Sequence, residues 1–117
     1  KEKRMRKLLL TIGIITLSLN VIAGGDYSKS QLNNMVNRGE YPKQGPVNDT
    51  QTRSMSFSSC KVSVENIMSQ VRGEYPVRTI VNSGTIYMVK AWTNDGAITA
   101  TCSKSDQKMV LTQASYR

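Results

Sequence analysis

The apolar positions between residues 58 and 73 repeat at helical spacing and predict an amphipathic helix. They fall at i, i+4, i+7, i+8 and i+11, on one stripe of a helix, and they are Cys60, Val64, Ile67, Met68 and Val71. Ser58 or Ser59 is the expected N-cap, and Gly73 stands where a left-handed helix exit is expected. The stripe would turn Cys60 toward the core at the first turn.

From Pro76 onward, β-branched and aromatic residues alternate with turn signals, and this pattern predicts four antiparallel strands joined as a meander. The expected strands are residues 77–82, 85–93, 97–104 and 108–116. The expected turns are Ser83-Gly84, Asp95-Gly96 and residues 105–107. Asp-Gly between such runs is among the strongest hairpin signals, because both residues tolerate positive φ.

A two-residue loop at Asp95-Gly96 would give the sheet an apolar face and a mixed face. The apolar face would contain Tyr87, Val89, Ala91, Ile98, Ala100 and Cys102. The mixed face would contain Met88, Lys90, Trp92, Thr99, Thr101 and Ser103. A two-residue loop at Ser83-Gly84 would add Val77, Thr79 and Val81 to the mixed face. We expect the helix that carries Cys60 to lie across the apolar face.

A shorter helix is predicted after residue 28. Ser28 and Gln31 have the spacing of a capping box, and Gly39 supplies the stop. The apolar positions on one face of this helix are Leu32, Met35 and Val36.

The segment between the helices predicts little regular structure. Residues 41–46 contain two prolines and are expected to form a loop, which polar residues 48–53 extend. The alternation in residues 54–58 indicates a short edge strand. We therefore expect an α+β domain, in which residues 24–53 supply the short helix and loop and residues 54–117 supply the disulfide-linked helix and the four-stranded sheet.

The first 23 residues have the order of parts of a secretory signal peptide. A basic head precedes an apolar run at residues 8–19, and Val21-Ile22-Ala23 ends the segment with small outer residues. We expect cleavage after Ala23 and a periplasmic or secreted location. The alternative is an uncleaved anchor, which would be the only contact with a membrane. The 16 residues from 8 to 23 include four polar side chains, whereas a spanning helix needs about 20 predominantly apolar residues.

The charge and the cysteine content limit the classes of function and partner that we expect for the protein. From Gly24 onward, 11 Lys and Arg oppose seven Asp and Glu, a net charge of +4. These cations are scattered, which favours an acidic protein or envelope polymer over nucleic acid as the partner.

Cys60 and Cys102 form an even count in a small exported domain and predict a disulfide. The chain has no histidine and no cluster of metal-ligand residues, so we predict no metal, no cofactor and no catalytic residue.

Arg38-Gly39-Glu40-Tyr41-Pro42 recurs as Arg72-Gly73-Glu74-Tyr75-Pro76, and each copy follows a predicted helix. We interpret the repeat as a helix-exit device with a basic last turn, a glycine and a packing tyrosine. The functional alternative is a recognition surface made from two Arg/Glu/Tyr clusters. Glu40 and Glu74 also match the inventory of a glycosidase acid/base pair, although the sequence does not set their separation.

Trp92, Lys90 and Met88 mark the mixed face as a candidate partner-binding surface, and Arg78 is the fourth candidate residue. An aromatic anchor beside basic and flexible apolar side chains is typical of interaction surfaces. The alternative is that the first helix, the proline loop or the strand around Phe57 covers this face and makes Trp92 part of the core. An open face could also support a homodimer.

These observations favour a small exported, non-catalytic protein that binds another protein in the cell envelope. An accessory component of a secretion or transfer apparatus is one such protein. A periplasmic inhibitor or immunity protein that blocks a wall-acting enzyme or toxin is the second hypothesis, and an exported hydrolase is the third.

Overall fold

Residues 27–117 form a five-stranded antiparallel sheet with two helices. The computed structural model describes residues 27–117, so the predicted signal peptide and its cleavage after Ala23 lie outside the described residues. In chain order the elements are α1 (Lys29–Asn37), β1 (Gln44–Ser54), α2 (Phe57–Ser69), β2 (Val77–Asn82), β3 (Ile86–Thr93), β4 (Gly96–Ser103) and β5 (Lys108–Tyr116). The strand order is β1-β5-β4-β3-β2. The α+β class and the meander of the last four strands are confirmed, but the predicted count of four strands is wrong.

A serine is the N-cap residue of both helices. Ser28 caps α1 through the predicted capping box, in which the Gln31 side chain accepts from the Ser28 N–H at 2.8 Å. The N-cap of α2 is Ser56, whose hydroxyl accepts from the Ser59 N–H at 3.2 Å. Ser58 and Ser59 therefore lie inside the helix, and the prediction of either as the cap is wrong.

The element that the sequence did not indicate is β1. Residues 48–53, predicted as a loop, are paired with β5, whereas the edge strand predicted at residues 54–58 is replaced by the end of β1 and the first turn of α2. β1 is exposed from Pro46 to Ser54. An edge strand that buries neither side lacks the apolar alternation by which strands are recognised, which explains the error.

The β3–β4 hairpin turns one residue earlier than predicted, so each residue of β3 pairs two positions away from its predicted partner on β4. Thr93 pairs with Gly96, so the loop is Asn94-Asp95. Gly96 belongs to the strand because β5 passes close to it: a Cβ atom there would lie 2.8 Å from the Ala114 carbonyl oxygen. A shift of two residues leaves every side chain on its predicted face, so the apolar and mixed faces of β3 and β4 are as predicted.

A bulge changes the faces of β2. The register shifts between Thr79 and Val81, and a longer connection leaves Asn82 opposite Tyr87. Val77 and Thr79 pair with Ala91 and Val89 and therefore lie on the apolar face, so their predicted place on the mixed face is wrong. Val81 lies opposite Met88, on the mixed face as predicted.

The predicted disulfide between Cys60 and Cys102 is present and fixes α2 to β4, with 5.8 Å between the two Cα atoms. α2 covers the apolar face, and the buried members of this core are Cys60, Val64, Met68, Tyr87, Val89, Ala91, Ala100, Cys102 and Met109. α1 forms a second, smaller core at one end of the mixed face. Its buried members are Leu32, Val36, Trp92, Ala97 and Tyr116. Neither helix has the length and apolar character to cross a bilayer.

Candidate partner-binding face

Trp92 lies in the core rather than on the surface. Only 2% of its surface is exposed, because α1 packs on it and Tyr41 stacks on its ring with 5.1 Å between centroids. The indole Nε1 is buried without a hydrogen-bond acceptor among residues 27–117, so the ring contributes through apolar packing. The prediction of Trp92 as an exposed binding anchor is therefore wrong, and Trp92 is a core residue. Its ring still contacts the ammonium of Lys90.

Lys90 and Arg78 form a pair of cations next to this core. The two residues lie directly opposite each other on β3 and β2. The Lys90 ammonium stands 5.6 Å from the centroid of the Trp92 ring, and partial burial lowers the pKa of Lys90. Arg78 is exposed and donates to the Asn37 side chain at 2.8 Å. Ring and amide contacts thus hold both cations, and within residues 27–117 neither cation forms a salt bridge with a carboxylate.

The part of the mixed face beyond α1, here called the open face, is broad and half-exposed. It consists of Arg78, Val81, Met88, Lys90, Thr99, Thr101, Val110 and Thr112. The only carboxylate within the five strands is Asp49, which pairs with Gln113 and so lies on the apolar face. The strands therefore present hydroxyl, apolar and cationic groups on the open face, and no anion.

The two glutamates weighed as an acid/base pair are engaged in separate ion pairs. Glu40 binds Arg38 at 2.9 Å and Glu74 binds Lys29 at 2.8 Å, and all four side chains are exposed. Hydrogen bonds from these cations lower the pKa of both carboxyls. A general acid needs a raised pKa, so neither group has the environment of a glycosidase acid.

A third carboxylate was not considered from the sequence. Glu65 on α2 accepts hydrogen bonds from the Tyr87 hydroxyl at 2.5 Å and from Arg72 at 3.0 Å. The Tyr87 bond first, and then Arg72, lower the pKa of Glu65, while the carboxylate raises the pKa of Tyr87. This cluster ties α2 to β3, and the Lys61 ammonium stands 5.3 Å from the centroid of the Tyr87 ring.

The apolar face contains a small cleft that sequence reasoning also missed. Its volume is about 80 Å³, and it lies beside the C-terminal half of α2, where Leu111 and Ile98 meet Ile67 and Val71. Polar side chains of β1 contribute to its lining. Because β1 was not predicted as a strand, no pattern in the sequence could place its side chains in the lining of this cleft.

Among residues 27–117, no group of three or more Cys, Asp or Glu side chains could hold a metal ion. No protein-family model matches the chain, and no curated protein or solved structure is significantly similar to it.

Proposed function

We propose that this is an exported, periplasmic or secreted protein without catalytic activity, which uses the open face to bind an acidic surface of another envelope protein. The observation that carries the proposal is the Lys90–Arg78 pair, held side by side on a sheet face that has no strand carboxylate. The Cys60–Cys102 disulfide is compatible with an oxidising compartment. An accessory subunit of a secretion or transfer apparatus is the role that we favour.

The chemistry of the open face suits a protein better than a polyanion. Met88, Val81 and Val110 supply apolar contact area, and the threonines supply hydroxyl groups that both donate and accept. Nucleic-acid binding instead depends on many cations that neutralise successive phosphates. Two adjacent cations within an apolar and hydroxyl surface match a partner with a few carboxylates around an apolar centre.

The structure offers a way to remove the charge without disturbing the core. Arg78→Glu with Lys90→Glu reverses both cations, and neither residue is fully buried. Lys43→Glu with Lys104→Glu changes the net charge by the same amount at two exposed positions outside the open face. Both double variants should keep the disulfide and the wild-type circular dichroism spectrum.

The experiment is a crosslinking and co-purification of the exported protein from membrane extracts of its own host. We expect recovery of a large assembly with wild type and with the Lys43/Lys104 variant, and a loss of at least about tenfold with the Arg78/Lys90 variant. Recovery of a one-to-one complex with a single wall-acting enzyme would support the inhibitor hypothesis instead. Equal recovery with both double variants would exclude the open face as the binding surface.

A further inference from the structure

The free edge of β1 is an unprotected pairing surface. β1 is the terminal strand of the sheet, and its regular part, from Asp49 to Ser54, pairs with β5 without a break in register. Both irregularities of β1 lie before Asp49. The opposite edge, β2, is shorter and carries a bulge, which is a usual protection against strand addition. The regular half of β1 has no such protection.

The backbone polarity of this edge can be read from one hydrogen bond. Met55, directly after β1, donates its N–H to the Gln107 carbonyl at 3.0 Å and so turns toward β5. Backbone groups alternate in direction along an antiparallel strand. Asp49, Gln51 and Arg53 therefore direct their N–H and C=O groups toward β5, whereas Thr50 and Thr52 direct theirs toward the free edge.

The sequence of the edge is complementary to itself in an antiparallel pair. When two copies of β1 pair about a two-fold axis at Gln51, Thr50 lies opposite Thr52 of the second copy, so the outward backbone groups meet. In the same register Asp49 lies opposite Arg53 of the second copy, and the symmetry repeats the pair. The next register in which outward backbone groups still meet is shifted by two residues. That shift places Gln51 opposite Asp49 or Arg53 of the second copy and separates the two charges. One register alone therefore satisfies both the backbone hydrogen bonds and the charge pairs.

We propose that the protein forms a homodimer by antiparallel pairing of β1 with β1 of a second copy, with Asp49 and Arg53 joined across the interface. Both side chains are exposed and free of the ion pairs described above. Opposite charges at facing strand positions stabilise the pair, and like charges destabilise it. The result is a continuous ten-stranded sheet in which both copies of α2 lie on one side.

This dimer leaves the open face available. The two-fold axis is perpendicular to the sheet, so the mixed faces of both copies point to the same side. Two Lys90–Arg78 pairs would then face a partner together, which raises the apparent affinity for a multivalent acidic surface. The inference does not depend on the proposed function, because it rests on the edge strand alone.

The test is a charge-reversal cycle followed by sedimentation velocity of the disulfide-bonded protein over a range of concentrations. Asp49→Arg and Arg53→Asp each place like charges opposite each other twice, and each should weaken dimerisation about tenfold or more. The double variant restores opposite charges and should dimerise within about threefold of wild type. Lys104→Asp and Asp106→Arg, on the β4–β5 turn, are the matched controls and should behave as wild type.

A second measurement fixes the register. Gln51→Cys places one thiol on the two-fold axis next to its own copy, and oxidised glutathione should convert the variant to a covalent dimer. Arg53→Cys faces residue 49 of the second copy and should crosslink far less. The inference is overturned if wild type stays monomeric at all concentrations, if the double reversal dimerises no better than the single reversals, or if dimers persist in every β1 variant and are lost on Lys90→Glu.

Discussion

Removing the Cys60–Cys102 disulfide should cost the protein a large part of its stability. The two cysteines are 42 positions apart, so the bond closes a loop of about 43 residues. Loss of chain entropy in the unfolded state then stabilises the fold by about 4 kcal/mol. A domain of about 90 residues has a net stability of roughly 5 to 10 kcal/mol. One bond between α2 and β4 therefore accounts for about half of it.

The perturbation is the double substitution Cys60→Ala with Cys102→Ala. Both positions are completely buried, so alanine is preferable to serine, which would bury a hydroxyl group in an apolar core. Equilibrium unfolding in urea, followed by far-ultraviolet circular dichroism, measures the loss. With a slope of about 1.5 kcal/mol per molar urea, we expect the midpoint to fall by about 3 M.

A reductant supplies the control, because it opens the same bond without changing a residue. Wild type with an excess of dithiothreitol should unfold at nearly the same urea concentration as the double variant. A midpoint shift below about 0.7 M in the variant, corresponding to about 1 kcal/mol, would refute the loop-entropy argument. An unchanged wild-type midpoint after verified reduction would do the same.

Two other substitutions test the turn register and the α2 contact. Gly96→Ala should destabilise the protein by about 1 to 3 kcal/mol in the same urea assay, because the new Cβ would lie 2.8 Å from the Ala114 carbonyl oxygen. The control is Gly84→Ala, whose Cβ would have no atom within 4 Å and which should change stability by less than about 0.5 kcal/mol. Equal losses of stability in the two variants would contradict the steric argument. Glu65 has a folded pKa below its ordinary value of 4.5, so its contribution is present above that pH and is lost as the pH falls through the folded pKa. The stability difference between wild type and Glu65→Gln should therefore shrink as the pH falls below 4.5. A difference independent of pH would rule out the Tyr87–Glu65 bond as its source.

The elements with a buried side were predictable from the chain. The apolar stripe of α2 and the alternation in β3 and β4 show which side chains are buried, and the two cysteines indicate that α2 lies against β4. β1 has no such apolar pattern, because an exposed edge strand is stabilised by backbone pairing and not by burial of its side chains. The Asp95-Gly96 signal misplaced the turn for another reason: Gly96 is required by the approach of Ala114, a tertiary contact.

The candidate site was predictable only in part. The mixed composition around Lys90 and Met88 follows from strand alternation, and the register confirms their common face. Whether Trp92 is covered depends on where α1 docks, which no local pattern encodes. The cleft beside α2 depends likewise on β1. Both features arise from elements brought together across long sequence separations.

The repeated pentapeptides show what that docking requires. Gly39 and Gly73 both have positive φ, at 77° and 102°, so each copy reverses the chain directly after a helix. Tyr41 then stacks on Trp92, and Tyr75 packs against the same cluster. Both copies therefore end at one aromatic site, although they approach it from α1 and from α2.

The charged residues of the two copies are used differently, which decides between the two interpretations of the repeat. The first copy's arginine and glutamate pair with each other, whereas in the second copy Arg72 pairs with Glu65 and Glu74 pairs with Lys29. A paired recognition surface would present its charges alike, but only the glycine and tyrosine roles are shared. The Glu74–Lys29 bridge, together with the Asn33 side chain that donates to the Glu74 carbonyl at 2.9 Å, holds α1 against the exit of α2. The glycine and the tyrosine of the repeat thus fit the helix-exit interpretation, but its expected basic last turn is wrong, because neither helix has a basic residue in its last turn. The second copy positions the helix that buries Trp92.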